Sequence, residues 1–160
     1  MRPWRAWRRT VWYYILTITP FGTYMALRVP YPAPSTSPAP SRLARAGLTT
    51  FFRIAAEWGL DTAQQMVLLG VPSRTTFFRW KKVSPASLPP DTLERLSHVF
   101  GIYKSLQILL PAAAAAAWIH RPNDAPLFEG RPALELMTRG VAGLFLVRAY
   151  LDAERGGDFV

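Results

Sequence analysis

The sequence predicts an all-α chain, a helix-turn-helix bundle followed by a smaller helical module, and three of its features point that way. From Leu43 onward, apolar residues recur at three- and four-residue intervals, the spacing that lines one face of a helix. The segments that carry this spacing open on Asp, Ser or Pro and close on Gly, which start and stop helices for known reasons. Pro111 is followed by six alanines, a strong helix-forming run.

Leu48, Phe51, Phe52 and Ala55 fall at i, i+3, i+4 and i+7, so the first helix buries that stripe and ends near Trp58 and Gly59. Asp61 is placed to cap a short helix over Thr62 to Leu69, because its carboxylate can accept an unpaired N–H of the first turn. Gly70 stops that helix, Val71 and Pro72 follow, and Ser73 can cap a third helix from Arg74 to about Lys81. Pro89 and Pro90 break the chain again. Asp91 to Leu110 then reads as a long helix with Leu93, Leu96, Phe100, Tyr103 and Leu110 on its buried stripe. The alanine run reads as the next helix, with Trp118 and Ile119 packed at its end. Arg121 to Pro132 is a polar, Pro-punctuated loop that still holds Leu127 and Phe128, and loops with such anchors often bind partners. Pro132 opens a helix through Met137 and Arg139, Gly140 ends it, and Val141 to Ala153 supplies the last helix with Leu144, Val147 and Leu151 aligned.

Charge divides the chain more sharply than composition does. Residues 1 to 90 hold twelve Arg/Lys against Glu57 and Asp61, a balance of +10, whereas residues 91 to 160 hold seven against eight acids, a balance of −1. Basic residues select polyanions when they are concentrated. No acidic residue lies between Asp61 and Asp91, where Arg74, Arg79, Lys81 and Lys82 cluster, and this is the footprint expected for phosphate. A solvated basic face would look the same in sequence.

On the third helix, Ser73, Thr76, Phe77 and Trp80 share one face, while Arg74, Thr75, Phe78, Arg79 and Lys82 share the other. The first face packs and the second suits the major groove. There Arg can pair with guanine O6 and N7, and Thr can touch phosphate or a thymine methyl. Lys81 and Lys82 are expected on phosphates, which gives affinity without sequence choice. The set expected at DNA is therefore Ser73, Arg74, Thr75, Phe78, Arg79, Lys81 and Lys82. Phe78 could equally serve packing.

The first forty residues differ from the rest. Met1 to Arg9 is rich in Arg and Trp, and Val11 to Val29 is largely apolar, a pairing that imitates a signal peptide or membrane anchor. Pro20, Gly22 and Thr17, Thr19 and Thr23 interrupt that stretch, which barely reaches spanning length. Tyr31 to Ser41, with Pro32, Pro34, Pro38 and Pro40, reads as a linker. Residues 1 to 40 are thus expected to be a disordered extension and linker, with Met25 the expected true start. A membrane-tethered regulator is the competing reading of the same stretch.

Catalysis finds little support. Cysteine is absent, the two histidines, His98 and His120, are not at metal-ligand spacing with carboxylates, and no Gly-rich phosphate loop is present. His98 is expected on a helix surface and His120 at a helix end. No cofactor and no metal are expected. Lack of cysteine also fits a reducing cytoplasm.

Several segments resemble Xre/MbcA/ParS antitoxins over about residues 43 to 157. In the first half these are Trp58-Gly-Leu, Leu68-Leu-Gly-Val and Phe77-Phe-Arg-Trp-Lys-Lys. In the second they are Leu93-Glu-Arg-Leu, Gly101-Ile-Tyr-Lys-Ser-Leu, Arg121-Pro-Asn-Asp-Ala-Pro-Leu-Phe, Gly130-Arg, Leu134-Glu-Leu-Met and Tyr150-Leu-Asp. The resemblance implies an Xre-like helix-turn-helix domain at 41–90 and a toxin-binding domain at 91–157. It further implies a RES-domain toxin partner that consumes or transfers from NAD, operator DNA as a second partner, a homodimer, and a cytoplasmic protein. It places the toxin contacts at Arg121, Asn123, Leu127, Phe128, Met137 and Tyr150. Two departures stand out: Gly70 to Trp80 is one residue longer than the general pattern, and Pro132 replaces a capping Ser or Thr. A stand-alone repressor, with the Leu93, Leu96 and Phe100 stripe used for dimerisation alone, remains the alternative.

Overall fold

The computed structural model describes residues 39–156; the expected extension, most of its linker and the Met25 start lie outside them, and the linker's last two residues, Pro40 and Ser41, already belong to the first helix. Seven helices follow in order: α1 Pro40–Glu57, α2 Thr62–Leu69, α3 Arg74–Lys82, α4 Pro90–Leu109, α5 Ala112–Trp118, α6 Ala133–Met137 and α7 Val141–Gly156. No strand is present among the described residues; one isolated bridge joins Pro122 to Pro132. The described residues are therefore all-α, as expected.

α1 buries Ala44, Leu48, Phe51, Ile54 and Ala55, the stripe its spacing dictates. α2 begins at a reciprocal cap: the Gln64 N–H donates to Asp61 Oδ1 at 2.7 Å and the Asp61 N–H donates to Gln64 Oε1 at 2.9 Å. Two donors that an isolated helix would leave unpaired are satisfied at once. Gly70 closes α2 at φ 70°, which a side chain would resist, and the Val71 N–H reaches back to the Met66 carbonyl at 2.9 Å. The Ser73 hydroxyl accepts the Thr76 N–H and opens α3.

α4 is the spine. It contacts α1 and α2 on one side and α5 and α7 on the other. Its buried residues are Thr92, Leu96, Val99, Ile102, Ser105 and Leu106. This corrects the expected stripe, because Leu93 is 47% exposed and Phe100 and Tyr103 are only partly covered. A helix flanked on two sides buries a wide arc, and spacing alone does not choose among overlapping stripes. Toward α1, the Tyr103 hydroxyl donates to Glu57 Oε2 at 2.8 Å and Gln107 Nε2 donates to Glu57 Oε1 at 3.1 Å. Toward α7, Ser105 Oγ donates to Asp152 at 2.9 Å and Arg148 Nη1 donates to the Ser97 carbonyl at 3.1 Å. The Arg148 guanidinium lies directly over Gly101, where a Cβ would meet it at 2.6 Å.

α6 and α7 pack against each other through Gly143. A Cβ there would stand 1.9 Å from the Leu136 carbonyl oxygen, so the helices approach backbone to side-chain-free backbone. α7 sends Leu144, Val147 and Leu151 inward, as expected. Pro111 and Pro132 sit just before α5 and α6 as N-caps without a side-chain cap bond, one position earlier than a helix-opening proline. His98 is also placed differently from expectation: its side chain is 14% exposed and its ring meets Phe145 edge to face. The buried apolar residues from Ala44 to Leu151 form one cluster that continues past residue 90, so α4 belongs to both halves.

Candidate nucleic-acid interface and partner-binding module

α2 and α3 are joined through Gly70 and Ser73, and their mutual placement is fixed by what lies under them. Phe77 is fully buried and Trp80 is 8% exposed, so α3 is anchored through this pair. Phe77 packs edge to face on Phe52 of α1 at 5.8 Å between centroids. Arg95 of α4 fastens the other helix: its Nη1 donates to the Val67 carbonyl near the end of α2 at 3.1 Å, while its Nε pairs with Asp91 at 2.8 Å. The Val67 carbonyl also accepts the Gly70 N–H, so the guanidinium adds a second donor there and complements the dipole at the helix C-terminus.

With Phe77 and Trp80 pointing inward, 100° per residue sends Thr75, Phe78, Arg79 and Lys82 outward, and Arg74 and Lys81 fall at the flanks of that face. Ser73, Arg74, Thr75, Arg79, Lys81 and Lys82 are all exposed, and Phe78 is 41% exposed. Phe78 is shared between roles: its ring meets Phe77 at 5.4 Å and the Arg74 guanidinium lies 5.7 Å from it. The Lys81 ammonium lies 5.8 Å from the Phe52 ring, which holds it against the body of the domain. Ion pairs among the described residues involve Arg95, His98, Arg131, Arg139, Arg148 and Arg155, and no cation of α3 takes part in one. The result is an exposed cationic helix face with no internal carboxylate to neutralise it. Such a face attracts polyanions.

The second candidate site centres on the loop between α5 and α6. Asn123 pins it, accepting the Ala125 N–H on Oδ1 at 2.9 Å and the Gly130 N–H on its carbonyl at 3.0 Å. Glu129 has φ 53° and Gly130 φ 76°, so the loop reverses through two successive left-handed residues, the first of them strained. Arg131 ties this reversal to α6 by pairing with both Glu129 and Glu135. Beneath the loop, Phe128, Trp118 and Tyr150 form a three-ring cluster: Phe128 meets Tyr150 at 5.1 Å and Trp118 at 5.7 Å, both edge to face.

This cluster separates the six residues expected to touch a partner. Arg121 is exposed, and Asn123, Leu127 and Tyr150 are half-buried. Phe128 and Met137, by contrast, are 2% and 0% exposed and belong to the core. These two, expected among the toxin contacts, are thus covered in the chain by itself: a loop aromatic between prolines can fold back as readily as it can project. The Tyr150 hydroxyl titrates above its ordinary range, first because it is partly buried and second because Glu154 opposes the phenolate.

The residue that sequence reasoning placed at a helix end, His120, does lie just past α5, but its contact is elsewhere. Its Nε2 stands 2.6 Å from the Trp58 carbonyl at the end of α1. A carbonyl only accepts, so Nε2 carries the proton. This hydrogen bond joins the end of α1 to the end of α5, and an apolar cavity of about 450 Å³ opens beside it between Val67 of α2 and Pro132, Leu134 and Thr138 of α6 and its flanks.

A short helix with a capped start, a glycine stop and an acid-free outer face, docked on a helical module, defines a binding protein of the helix-turn-helix class. Residues 38–101 match the antitoxin Xre-like helix-turn-helix domain, and residues 97–157 match the antitoxin Xre/MbcA/ParS C-terminal toxin-binding domain. The chain belongs to this antitoxin family, whose two domains bind and regulate and do not catalyse. It is also similar to the Uncharacterized protein y4oB of Sinorhizobium fredii (strain NBRC 101917 / NGR234), with 51% identity over 114 residues, covering 70% of this chain and 86% of that protein. The two matches overlap on α4, in keeping with its place in both halves. Among the described residues no helix is long and apolar enough to cross a membrane.

Proposed function

We propose that this chain is the antitoxin of a type II toxin-antitoxin pair that neutralises a RES-domain toxin by direct binding and represses its own operon. The toxin chemistry in this reading is consumption of NAD or transfer of ADP-ribose. The observation that carries the DNA half is the outer face of α3, exposed and unpaired with any described carboxylate. Arg74 and Arg79 read bases with Thr75 and Phe78 beside them, Lys81 and Lys82 hold phosphates, and Ser73 at the N-cap presents the first turn of α3 to the backbone. Residues 41–90 do this work and residues 91–157 hold the toxin, with α4 serving both. A homodimer reading two half-sites, in the cytoplasm, completes the proposal.

Arg121, Asn123, Leu127 and Tyr150 line the partner side in this reading, and Phe128 and Met137 support them from below. The test is co-expression with the adjacent gene. The neighbour alone should arrest growth and deplete NAD, and co-expression should restore growth and yield a co-purifying pair. Anisotropy titration on the chain's own promoter tests repression separately: binding should weaken steeply with salt, as phosphate contacts require. A harmless neighbour, or a promoter bound no better than random duplex, would remove the corresponding half.

A further inference from the structure

α7 is apolar on two opposite sides. Leu144, Val147 and Leu151 face the core. At 100° per residue, Ala142, Phe145, Leu146, Ala149 and Ala153 fall on an outward arc of about 100°. Those five are exposed, Phe145 by 56% and Leu146 by 42%, and no charged residue lies within the arc. The charges of α7 lie outside this arc: Arg148 and Asp152 bond to Ser97 and Ser105 of α4, Arg155 pairs with Asp152, and Glu154 stands on the far side of the helix. A helix apolar on both faces belongs in an interior, and here only one face has one.

We propose that this outward stripe, with Phe145 and Leu146 as anchors, is the surface on which the toxin docks. The inference rests on the antitoxin reading given above and names the surface that performs it. Three observations select the toxin as occupant. The stripe lies within residues 97–157, the part of the chain that matches a toxin-binding domain. It adjoins the loop site, because Leu146 and Tyr150 are neighbours at i and i+4 and Tyr150 packs on Phe128 and Trp118. Its extent, about 17 Å of one helix, is small for a stable symmetric dimer, which covers about 800 Å² per partner, and suits a helix lying in the apolar groove of a larger protein.

Phe145 is also held ready. The edge-to-face contact with His98, 6.0 Å between centroids, fixes its ring while leaving most of it uncovered, so little side-chain freedom is lost on docking. Phe128 and Met137, fully covered already, contribute shape and not contact.

The experiment uses the full chain, the purified product of the adjacent gene as probe, and the variants Phe145→Asp, Leu146→Asp and the double variant. Both side chains are exposed, so helicity by circular dichroism and operator affinity should stay at wild-type values. Toxin affinity by calorimetry should fall by about 30-fold or more for either single change, the scale of an interface anchor. Should an Asp variant lose helicity, Phe145→Ala and Leu146→Ala replace it, with the same loss expected. Wild-type toxin affinity in the folded double variant overturns the assignment. So does a double variant that binds toxin normally yet sediments as a smaller species, since the face would then belong to a second copy. If the wild-type chain itself fails to bind the probe, the antitoxin reading falls first and this surface with it, a failure seen before any variant is made.

Discussion

Gly143→Ala offers a sharp test of the packing that sets α7 in place. In an isolated helix this change stabilises by about 1 kcal/mol, because glycine loses the most backbone freedom on folding. In this fold the added methyl would stand 1.9 Å from the Leu136 carbonyl oxygen, against 3.4 Å or more for an ordinary contact. Backbone on α6 cannot swing aside as a side chain can, so α6 and α7 must separate. Overpacking of this kind costs about 1 to 3 kcal/mol, and a clash with backbone lies at the upper end. Set against the helix-propensity gain, the net expected loss is about 2 kcal/mol. For a folded unit of this size that is a fall in Tm of about 8 °C. Urea and thermal unfolding followed by circular dichroism would measure it, with Gly143→Ser as a bulkier companion expected to lose more. A Gly143→Ala protein as stable as wild type, or more stable, would refute the close approach of the two helices.

Arg74→Ala and Arg79→Ala should each cost about 1 to 3 kcal/mol on the preferred operator and relax its sequence preference, whereas Lys81→Ala should weaken all duplexes alike and lower the salt slope by about 1; anisotropy titrations over a salt series separate the two patterns. Phe128→Ala should lower stability by about 3 to 5 kcal/mol, since the buried ring supports Trp118 and Tyr150, and unchanged unfolding would place the ring outside the core. Alkaline pH should loosen the joint between α1 and α4. The hydrogen bond to Glu57 raises the Tyr103 hydroxyl above its usual 10.0, with burial adding to it, so the folded state holds that proton more tightly than the unfolded state. Its contribution is complete below pH 10 and is lost as pH rises through the folded-state value, and Tyr103→Phe should remove this pH dependence from the unfolding midpoint.

Local chemistry made the first three helices legible without coordinates. Asp61, Gly70 and Ser73 act on backbone groups within a few residues of themselves, so their roles as cap, stop and cap follow from the sequence, as does the inward turn of Phe77 and Trp80. The acid-free window from Asp61 to Asp91 is likewise a property of the chain. The resemblance to antitoxins rested on short segments whose spacing survives in a linear reading. Burial is different, because it depends on what arrives from elsewhere. α4 carries several overlapping apolar stripes, and only the arrival of α1 and α7 on its two sides decided that Val99 and Ile102 go inward while Leu93 stays out.

The same reason explains the loop. Spacing leaves open whether Phe128 projects or folds back, and Trp118 and Tyr150 come from distant positions to cover it. Conversely, the last helix showed its core stripe in sequence, but the second apolar stripe became meaningful once α4 and α6 were seen to leave it uncovered. The amino-acid sequence by itself determined the helical class, the capped turn and the cationic face, because each arises from neighbours along the chain. The tertiary structure alone decided which apolar side chains are core and which remain open to a partner, because solvent exclusion is a property of three-dimensional surroundings and not of spacing.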